Sequence, residues 1–579
     1  MGSQYSPRNA VFFQKTTKSA GPKARFLCCR GAWFILDCPA FGVFRAIAVP
    51  AIASKRQPRQ DSGEGRALAF SGEKVLALPV AAALGLLLVS LQSRVQENPA
   101  LLASTLGAAA GLLLWLGWQW LGMRRAGACP AIRVVARRQH YIQALVQGSV
   151  LLYWGYYWSP VYDHFWLLAA QLLFAYGFDA LLAFSRRREY PLGFGPFPII
   201  FSINLFLWFR DDWFYLQFLM IAAGFMGKEY VRWMRDGRSV HIFNPSAFAL
   251  GLFSLALIAT GTTGLTWGRE IASTLTLAPN IYTFLFFAGL VVMSVFSITL
   301  VAGMAAVSLF ALSGMYFAIT GVPYFIDSEI PAAVFLGLHL LVTDPSTSPR
   351  TPLGKALFGI LYGVGVFALY TLLGALGAPT FYDKLLCVPL LNLSVIAIDR
   401  AVKRIPSQSW AMMWKAGWNP ARANPAHMAL WVAVFAGVSL AGHTDSRHTG
   451  DSVPFWQQAC AESRLNACGR LLQLQATYCG DNSAWACNEL GAHYREGRLV
   501  EADAELALAY FSRACELKSM AACQNLLRGD ALLRSPPGDL DLRLLLREGG
   551  ANLLEAHPAE LRRRACEHGW AFACAENRA

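Results

Sequence analysis

Long apolar stretches constrain this chain more than any other feature of its sequence. Thirteen of them are long enough, or nearly long enough, to cross about 30 Å of hydrocarbon. Hydrophobic residues make up 55% of the 579 residues and charged residues only 15%, which is typical of a polytopic membrane protein. Because a backbone in lipid must satisfy its own hydrogen bonds, the stretches predict an all-α fold. They lie near 75–92, 99–123, 141–159, 163–184, 194–209, 213–228, 243–262, 281–301, 303–321, 330–343, 356–378, 385–398 and 426–442.

The basic residues indicate which way the chain crosses the membrane. The formal net charge of +14 would by itself be compatible with nucleic-acid binding. However, one set of alternate loops holds 19 Lys and Arg residues and the other set holds only four, and short loops rich in these residues stay in the cytoplasm. We therefore expect a bacterial inner-membrane protein with a cytoplasmic N-terminus and everything after about residue 443 in the periplasm. We expect the protein to contact the lipid bilayer. We do not expect it to bind nucleic acid.

Eight cysteines near the C-terminus form four pairs with one shared spacing, C-x7-C. On one helix, residues eight apart are separated by about 12 Å, whereas the Cα atoms of a disulfide approach within about 7 Å. A turn must therefore fall inside each pair, so that a disulfide joins the end of one helix to the start of the next. Such bonds persist in an oxidising compartment; the alternative is that these cysteines are small buried residues of a helical array. The predicted pairs are Cys460 with Cys468, Cys479 with Cys487, Cys515 with Cys523, and Cys566 with Cys574.

The same C-terminal region is repetitive. Cys479 and Cys515 are 36 residues apart, and the pattern Leu-Gly-x-x-Tyr-x-x-Gly at 490–497 lies between them. Over roughly 455–577 the region resembles the Sel1-like repeat family, whose tetratricopeptide-like helix pairs stack as an α-solenoid. Only the central repeat is complete. The resemblance implies a domain that binds a periplasmic protein partner, and the region contains no pattern of catalytic residues.

The apolar stretches between residues 139 and 400 contain two polar segments that break them. The ten stretches here divide into two sets of five, and because five is odd, the second set must run in the opposite direction, as in an inverted repeat. The polar segments are His241–Phe248, which follows Lys228, and Thr343–Lys355. Together they resemble the NqrB/RnfD family, the membrane subunits of the Na⁺-translocating NADH:quinone reductase and of the Rnf electron-transport complex.

That resemblance implies a flavin-carrying subunit that passes electrons across the bilayer together with other membrane redox subunits, with ion movement coupled to it. The family attaches FMN to a threonine in an outer loop of the form D-x-x-S-G-A-T. The corresponding segment here is Glu270–Thr276, which keeps Ser273 and Thr276 but replaces Gly-Ala by Thr274-Leu275. Glycine allows close backbone access and a β-branched residue hinders it. FMN or riboflavin is the expected cofactor, and an ordinary polar loop is the alternative interpretation of this segment.

The two polar segments supply the remaining candidate cofactor-binding residues. Asn244 and Pro245 open a helix, with free N–H groups that could face a phosphate or a flavin carbonyl. The second segment offers a carboxylate, three hydroxyls and an ammonium group. The alternative is that both segments only cap helices at the cytoplasmic edge. The candidates in the second segment are Asp344, Thr347, Ser348, Thr351 and Lys355.

Two functional hypotheses remain open for the whole chain. The first is a flavin-linked redox subunit, which would need partner subunits because the chain has neither an NADH-site nor an iron–sulfur motif. The second is a non-redox transporter or an assembly protein, similar to the UnbU-type membrane proteins of enediyne biosynthesis clusters, that keeps the fold without flavin. The expected organisation is a disordered cytoplasmic leader (1–70), two extra spans (71–138), the NqrB/RnfD-like core (139–405), a linker with the last span (406–445) and the repeat domain (446–579).

Overall fold

The computed structural model describes residues 69–126, 130–186, 189–325, 328–404, 420–444, 448–480, 483–527 and 532–534. The predicted leader, apart from its last two residues, lies outside the described residues. Most of what is described is helical, as predicted from the apolar stretches.

The membrane-embedded part, here called the body, contains sixteen of the described helices. The first three are α1 (Ala77–Val89), α2 (Ser93–Gln96) and α3 (Pro99–Ala126). The next six are α4 (Arg138–Tyr157), α5 (Pro160–Asp163), α6 (Phe165–Ser185), α7 (Pro196–Asn204), α8 (Phe214–Tyr230) and α9 (Pro245–Thr260). The last seven are α10 (Gly268–Thr274), α11 (Ile281–Phe296), α12 (Thr299–Thr320), α13 (Ala332–Leu340), α14 (Pro352–Ala375), α15 (Asp383–Arg404) and α16 (Pro420–Leu440).

The chain is a multi-pass membrane protein. Within the described ranges, six helical segments are long and apolar enough to cross a bilayer: Pro99–Arg125, Phe165–Ser185, Thr299–Thr320, Pro352–Ala375, Thr380–Arg404 and Ala423–Leu440. Three more apolar helices are shorter. The sequence predicted thirteen spans, and two of these, near 194–209 and 330–343, hold helices of only nine residues, α7 and α13. Pro196 and Pro331 stand at the start of these short helices, where proline favours initiation but cannot extend a preceding helix.

Helix packing in the body repeats a five-helix pattern. In the first group, α4 packs on α7, α6 on α8 and α8 on α9; in the second group, α11 packs on α13, α12 on α14 and α14 on α15. If the four-residue α5 is left out, the third helix of each group is the one with nine residues, α7 in the first group and α13 in the second. The two groups meet through contacts of α4 with α11 and of α9 with α15.

Two small sheets make the all-α prediction incomplete. Strands β1 (Ala69–Ser71), β2 (Ala131–Val134) and β3 (Tyr190–Leu192) form one sheet, in which β2 pairs antiparallel with β1 and parallel with β3. Strands β4 (Arg232–Arg235) and β5 (Arg238–His241) form an antiparallel hairpin. Its two-residue turn, Asp236-Gly237, has φ angles of 49° and 75°. Asp-Gly tolerates this left-handed conformation, and the pair is a hairpin signal that the helix-based interpretation of the sequence missed.

The C-terminal region, here called the tail, is a separate array of helices. Its five described helices pack consecutively around an apolar core that includes Trp456, Trp485 and Phe511. The helices are α17 (Val453–Ala461), α18 (Ala467–Gly480), α19 (Ala484–Glu496), α20 (Ala504–Glu516) and α21 (Met520–Leu527).

Disulfides join successive helices of the tail. Three of the four predicted bonds are confirmed, and the Cα atoms of the pairs Cys460–Cys468, Cys479–Cys487 and Cys515–Cys523 are 4.5, 4.7 and 4.7 Å apart. In each of these pairs the turn between two helices brings the sulfurs together, as the spacing predicted. The fourth bond, between Cys566 and Cys574, stays a prediction, because Cys566 and Cys574 both lie outside the described residues.

The tail packs against one end of the body. The side chain of Val322 belongs to the apolar core of the tail, and a guanidinium N–H of Arg464 donates to the carbonyl of Gly321 over 2.9 Å. Helix α12 ends near this contact and begins at the opposite end of the body. There, just before the start of α12, the carbonyl of Ser297 accepts from the ammonium of Lys355 over 2.8 Å. We call the end that contacts the tail the tail face and the end that carries His241–Phe248 and Thr343–Lys355 the motif face.

Removing the central disulfide is expected to destabilise the tail alone. The closed loop between Cys479 and Cys487 is short, so the double replacement of both residues by Ala should cost about 2.5 kcal/mol through the greater freedom of the unfolded chain. The measurement is the urea midpoint for proteolysis of the tail in the intact, detergent-solubilised protein. The control is Cys387→Ala, because Cys387 is a free, buried cysteine of the body. An unchanged midpoint in the double variant would show that this bond contributes no stability.

Candidate functional site

The two polar segments meet at a cavity on the motif face. This motif cavity has a volume of about 300 Å³ and lies among the ends of helices from both five-helix groups. Its lining includes Arg137, His140, Asp179, Lys228, His241, Asn244, Pro245 and Asp344. It is therefore mixed in charge, with basic, acidic and amide groups on the same wall.

The helices of the two groups reach the motif cavity in opposite directions. Pro196, at the start of α7, and Leu340, at the end of α13, both line it. His140 near the start of α4 and Phe296 at the end of α11 do the same. At the motif cavity, helices of the first group therefore begin where the corresponding helices of the second group end. The N-termini of α7 and α9 add partial positive charge there.

Asn244 caps α9 and links it to α13 and α15. Its side-chain oxygen accepts from the backbone N–H of Ser246 over 3.1 Å and so caps α9. Its side-chain nitrogen donates to the carbonyl of Leu341 over 2.9 Å, and its backbone N–H donates to the side-chain oxygen of Asn392 over 3.1 Å. The predicted cap is therefore present, and the amide that was a candidate ligand-binding group is engaged in holding α9, α13 and α15 together.

Asp344 and His241 face each other across the cavity wall. Asp344 Oδ1 accepts from the backbone N–H of Ser346 over 2.9 Å, and its Oδ2 lies 3.6 Å from His241 Nε2. Burial raises the pKa of Asp344, but the proximity of His241 and the bonds from Ser346 outweigh it and leave the pKa below its ordinary value. Asp344 therefore remains a carboxylate. His241 Nε2 is buried and makes no hydrogen bond within the described part of the chain.

The other candidates of the second segment shape its backbone rather than line the cavity. Thr347 and Ser348 are buried, and both hydroxyls donate to the carbonyl of Asp344, over 3.4 and 2.7 Å. Thr351 caps α14 by accepting from the backbone N–H of Gly354 over 3.0 Å. Lys355 reaches the start of α12, as described above. The structure thus brings Asn244, Pro245 and Asp344 to the cavity and leaves these four residues behind it.

Arg235 holds the second segment in place and was missed as a site residue. Its side chain is only 6% exposed and donates to the carbonyls of Ser346 and Ser348 over 3.3 and 2.9 Å. It also pairs with Asp399 near the end of α15 over 2.7 Å. In the sequence Arg235 is one of many loop arginines, and nothing local distinguishes it.

Lys228 and Asp179 form a charged pair on the cavity wall. Lys228 Nζ lies 3.6 Å from Asp179 Oδ2, and both residues belong to apolar helices, α8 and α6. Ionisable residues within membrane segments are costly and are therefore mostly functional. A search of the sequence for acidic residues inside apolar stretches would have identified Asp179 as a candidate site residue.

Buried polar side chains continue from the motif cavity toward the tail face. Ser202 lines the cavity and accepts from the amide of Gln147 over 2.7 Å. Beyond it lies the polar cluster, a set of buried side chains bonded to one another over 2.6 to 3.1 Å. Its members are His164, Gln171, Asn204 and Gln217.

The segment that was compared with a flavin attachment loop lies elsewhere and is helical. Ser273 belongs to α10 and Thr276 to a 3₁₀ turn, Leu275–Leu277, where its hydroxyl donates to the carbonyl of Ser273 over 3.0 Å. Glu270 pairs with Arg210 over 2.8 Å. Helix α10 packs near the start of α15, at the opposite end of the body from the motif cavity. Thr276 is therefore remote from Asn244 and Asp344.

No protein-family model matches this chain, and no curated protein or solved structure is detectably similar to it. The likeness to the NqrB/RnfD and Sel1-like families rests on the quoted motifs and spacings.

Proposed function

We propose that this chain is a membrane subunit for electron transfer across the bilayer, with a non-covalently bound flavin, FMN or riboflavin, in the motif cavity. The observation that carries the proposal is that both NqrB/RnfD-like segments contribute to one cavity, where His241 of the first segment faces Asp344 of the second over 3.6 Å. Its volume of about 300 Å³ is at the lower end of the range for small-molecule sites.

The lining residues have the chemistry that a flavin needs. The His241 imidazole and the Lys228 ammonium can donate hydrogen bonds to ring nitrogens and carbonyl oxygens. The N-termini of α7 and α9 can attract a phosphate. When bound, a flavin supplies the transfer of electrons one or two at a time. Lys228 would stabilise negative charge on the ring, and Asp344 would orient the His241 imidazole.

The proposed topology is a ten-span inverted repeat in the bacterial inner membrane, followed by a stapled solenoid. The opposed directions of α7 and α13 support the inversion. The basic residues of the motif face support a cytoplasmic position for the cavity, which leaves the tail in the periplasm. The polar cluster supports coupled movement of an ion or a proton through its one ionisable member, His164, since buried ionisable residues in membrane proteins mark such pathways. Other membrane redox subunits would supply and accept the electrons.

A flavin assay on the purified full-length protein tests this proposal. We expect acid precipitation to release flavin, and the Thr276→Ala variant to keep its flavin content. Lys228→Ala should lower the content about tenfold, because a charge-assisted hydrogen bond is worth roughly 1.5–3 kcal/mol. The control is Arg400→Ala, an exposed basic residue of the motif face, which should leave the content unchanged. Flavin fluorescence that stays with the denatured protein and disappears in Thr276→Ala would instead place covalent FMN on the tail face.

A second candidate function follows from how the motif residues are used. Asn244, Ser348 and Thr351 all make structural hydrogen bonds, and Thr276 lies in a helical turn rather than an open loop. We therefore retain as the alternative a non-redox transporter or assembly protein, UnbU-like, that keeps the fold without flavin. Absence of flavin from both the acid supernatant and the protein band would favour it and contradict the redox proposal.

A further inference from the structure

A short segment of the chain, Leu532–Arg534, lies against α19 and α21 of the tail. Asn525 bonds both backbone groups of Leu533: its side-chain nitrogen donates to the Leu533 carbonyl over 2.8 Å, and its side-chain oxygen accepts from the Leu533 N–H over 2.7 Å. Asn488 donates to the same carbonyl over 3.1 Å and accepts from Asn525 over 2.9 Å. Both asparagines are fully buried. We call this pair the asparagine clamp.

The residue after Leu533 is held by charge. The guanidinium of Arg534 donates to Glu489 over 2.6 Å and to Glu496 over 2.7 Å. Both carboxylates belong to α19 and lie on the same face of that helix, and we call them the acidic pair. Burial raises the pKa of Glu489, and the charge of Arg534 opposes that rise.

His493 is a buried polar residue beside these contacts, and Leu532–Arg534 does not bond to it. It lies on α19 between the two members of the acidic pair and is 4% exposed. Both of its ring nitrogens are buried, and they have no hydrogen-bond partner within the described residues. Burial, followed by the charges of Arg534 and Arg498, lowers its pKa to about 4, so it is a neutral imidazole at physiological pH. A buried polar group without a partner is costly, and a longer or differently shaped ligand could satisfy it.

These contacts are those by which a protein recognises an extended peptide. The asparagine clamp reads only the backbone of one residue, and the acidic pair reads a basic side chain at the next position. We propose that this face of the tail is a docking groove for an extended, arginine-containing segment of a partner protein, and that Leu532–Arg534 occupies the groove until such a segment displaces it. The proposal does not depend on flavin or on electron transfer.

Displacement is governed by the tether between the segment and α21. Only four residues separate the end of α21 from Leu532, so the segment competes as an intramolecular ligand at an effective concentration of roughly millimolar. A free peptide with the same contacts therefore binds weakly while Arg534 is present. Weakening the chain's own segment should reveal the affinity of the groove.

The test is fluorescence anisotropy of a labelled peptide that copies residues 530–536, titrated with the full-length protein in detergent. The Arg534→Glu variant should bind this peptide at least about tenfold more tightly than the wild type, because the tethered competitor is then repelled by the acidic pair. Adding Asn525→Ala to the Arg534→Glu variant should abolish this gain in affinity. The control protein is Lys518→Glu, the same charge change at an exposed position of the tail, which should bind like the wild type.

A peptide in which the arginine is replaced by glutamate should bind none of these proteins. The tail must keep its disulfides and its resistance to protease in each variant. If the Arg534→Glu variant loses either, Arg534→Gln is used instead, and the expected order of peptide affinities is the same. The proposal is wrong if the correctly folded variant binds no better than the wild type, or binds the arginine and glutamate peptides equally. In either case Leu532–Arg534 only closes the end of the helix array.

Discussion

Replacing Gly359 by leucine is expected to prevent α12 and α14 from packing and to unfold the centre of the body. A Cβ atom at this position would lie 2.4 Å from the carbonyl oxygen of Val301, and one at Gly363 would lie 3.0 Å from the carbonyl oxygen of Ala305. The two glycines form a G-x-x-x-G pattern, which allows close approach of membrane helices. Because backbone atoms cannot move aside as a side chain can, we expect a cost of about 3 kcal/mol, the upper end of the usual range for overpacking.

The measurement is the midpoint of thermal unfolding in detergent, followed by size-exclusion chromatography. Gly111→Leu is the matched control, since a Cβ on this glycine of α3 would meet nothing within 4 Å. We expect the control to remain monodisperse at temperatures where Gly359→Leu aggregates. Equal midpoints for the two variants would mean that α12 and α14 do not depend on this backbone contact.

Replacing Arg235 by alanine is expected to have the second large effect, on both stability and the motif cavity. The change leaves the Asp399 carboxylate without its charge partner, although the backbone N–H of Arg350 still donates to it, and it removes the donors to the carbonyls of Ser346 and Ser348. Breaking a buried ion pair from one side costs roughly 3–5 kcal/mol. The loop that carries Asp344 loses its anchor at the same time, so the flavin content should fall with the unfolding midpoint.

An exposed pair provides the control for this experiment. Arg350 pairs with Asp236 on the same face, and the two side chains are 52% and 49% exposed. Removing such a pair changes stability by about 0–1 kcal/mol. The double variant Arg235→Met, Asp399→Leu should recover part of the loss, because no uncompensated charge remains. If Arg235→Ala unfolds like Arg350→Ala, the buried guanidinium does not anchor the loop.

Local chemistry made several features of this protein predictable. The C-x7-C spacing predicted the three described disulfides because both partners are brought together by one short turn. Asn244 was predictable as a cap because a cap bonds to N–H groups two or three residues away. Thr351 also caps a helix, which was the alternative interpretation of its segment rather than the prediction. The Asp236-Gly237 turn was equally local, and it was missed only because the helical interpretation left no place for strands.

The candidate site was less predictable because its parts are distant in the chain. Arg235 reaches Ser348 and Asp399 across 113 and 164 residues, and no periodicity in the sequence connects them. Nothing in the sequence connects Lys228 with Asp179, which lies 49 residues earlier. Their pairing depends on the relative rotation of α8 and α6, which is set by packing.

The sequence by itself determined that the chain spans a membrane many times and that its C-terminal helices are joined by disulfides, because apolar length and short cysteine spacing act within a segment. Only the tertiary structure decided that two distant polar segments share one cavity and that Leu533 lies between two asparagines of the tail. Those contacts depend on the directions and separations of whole helices, which are set by packing between surfaces far apart in the chain.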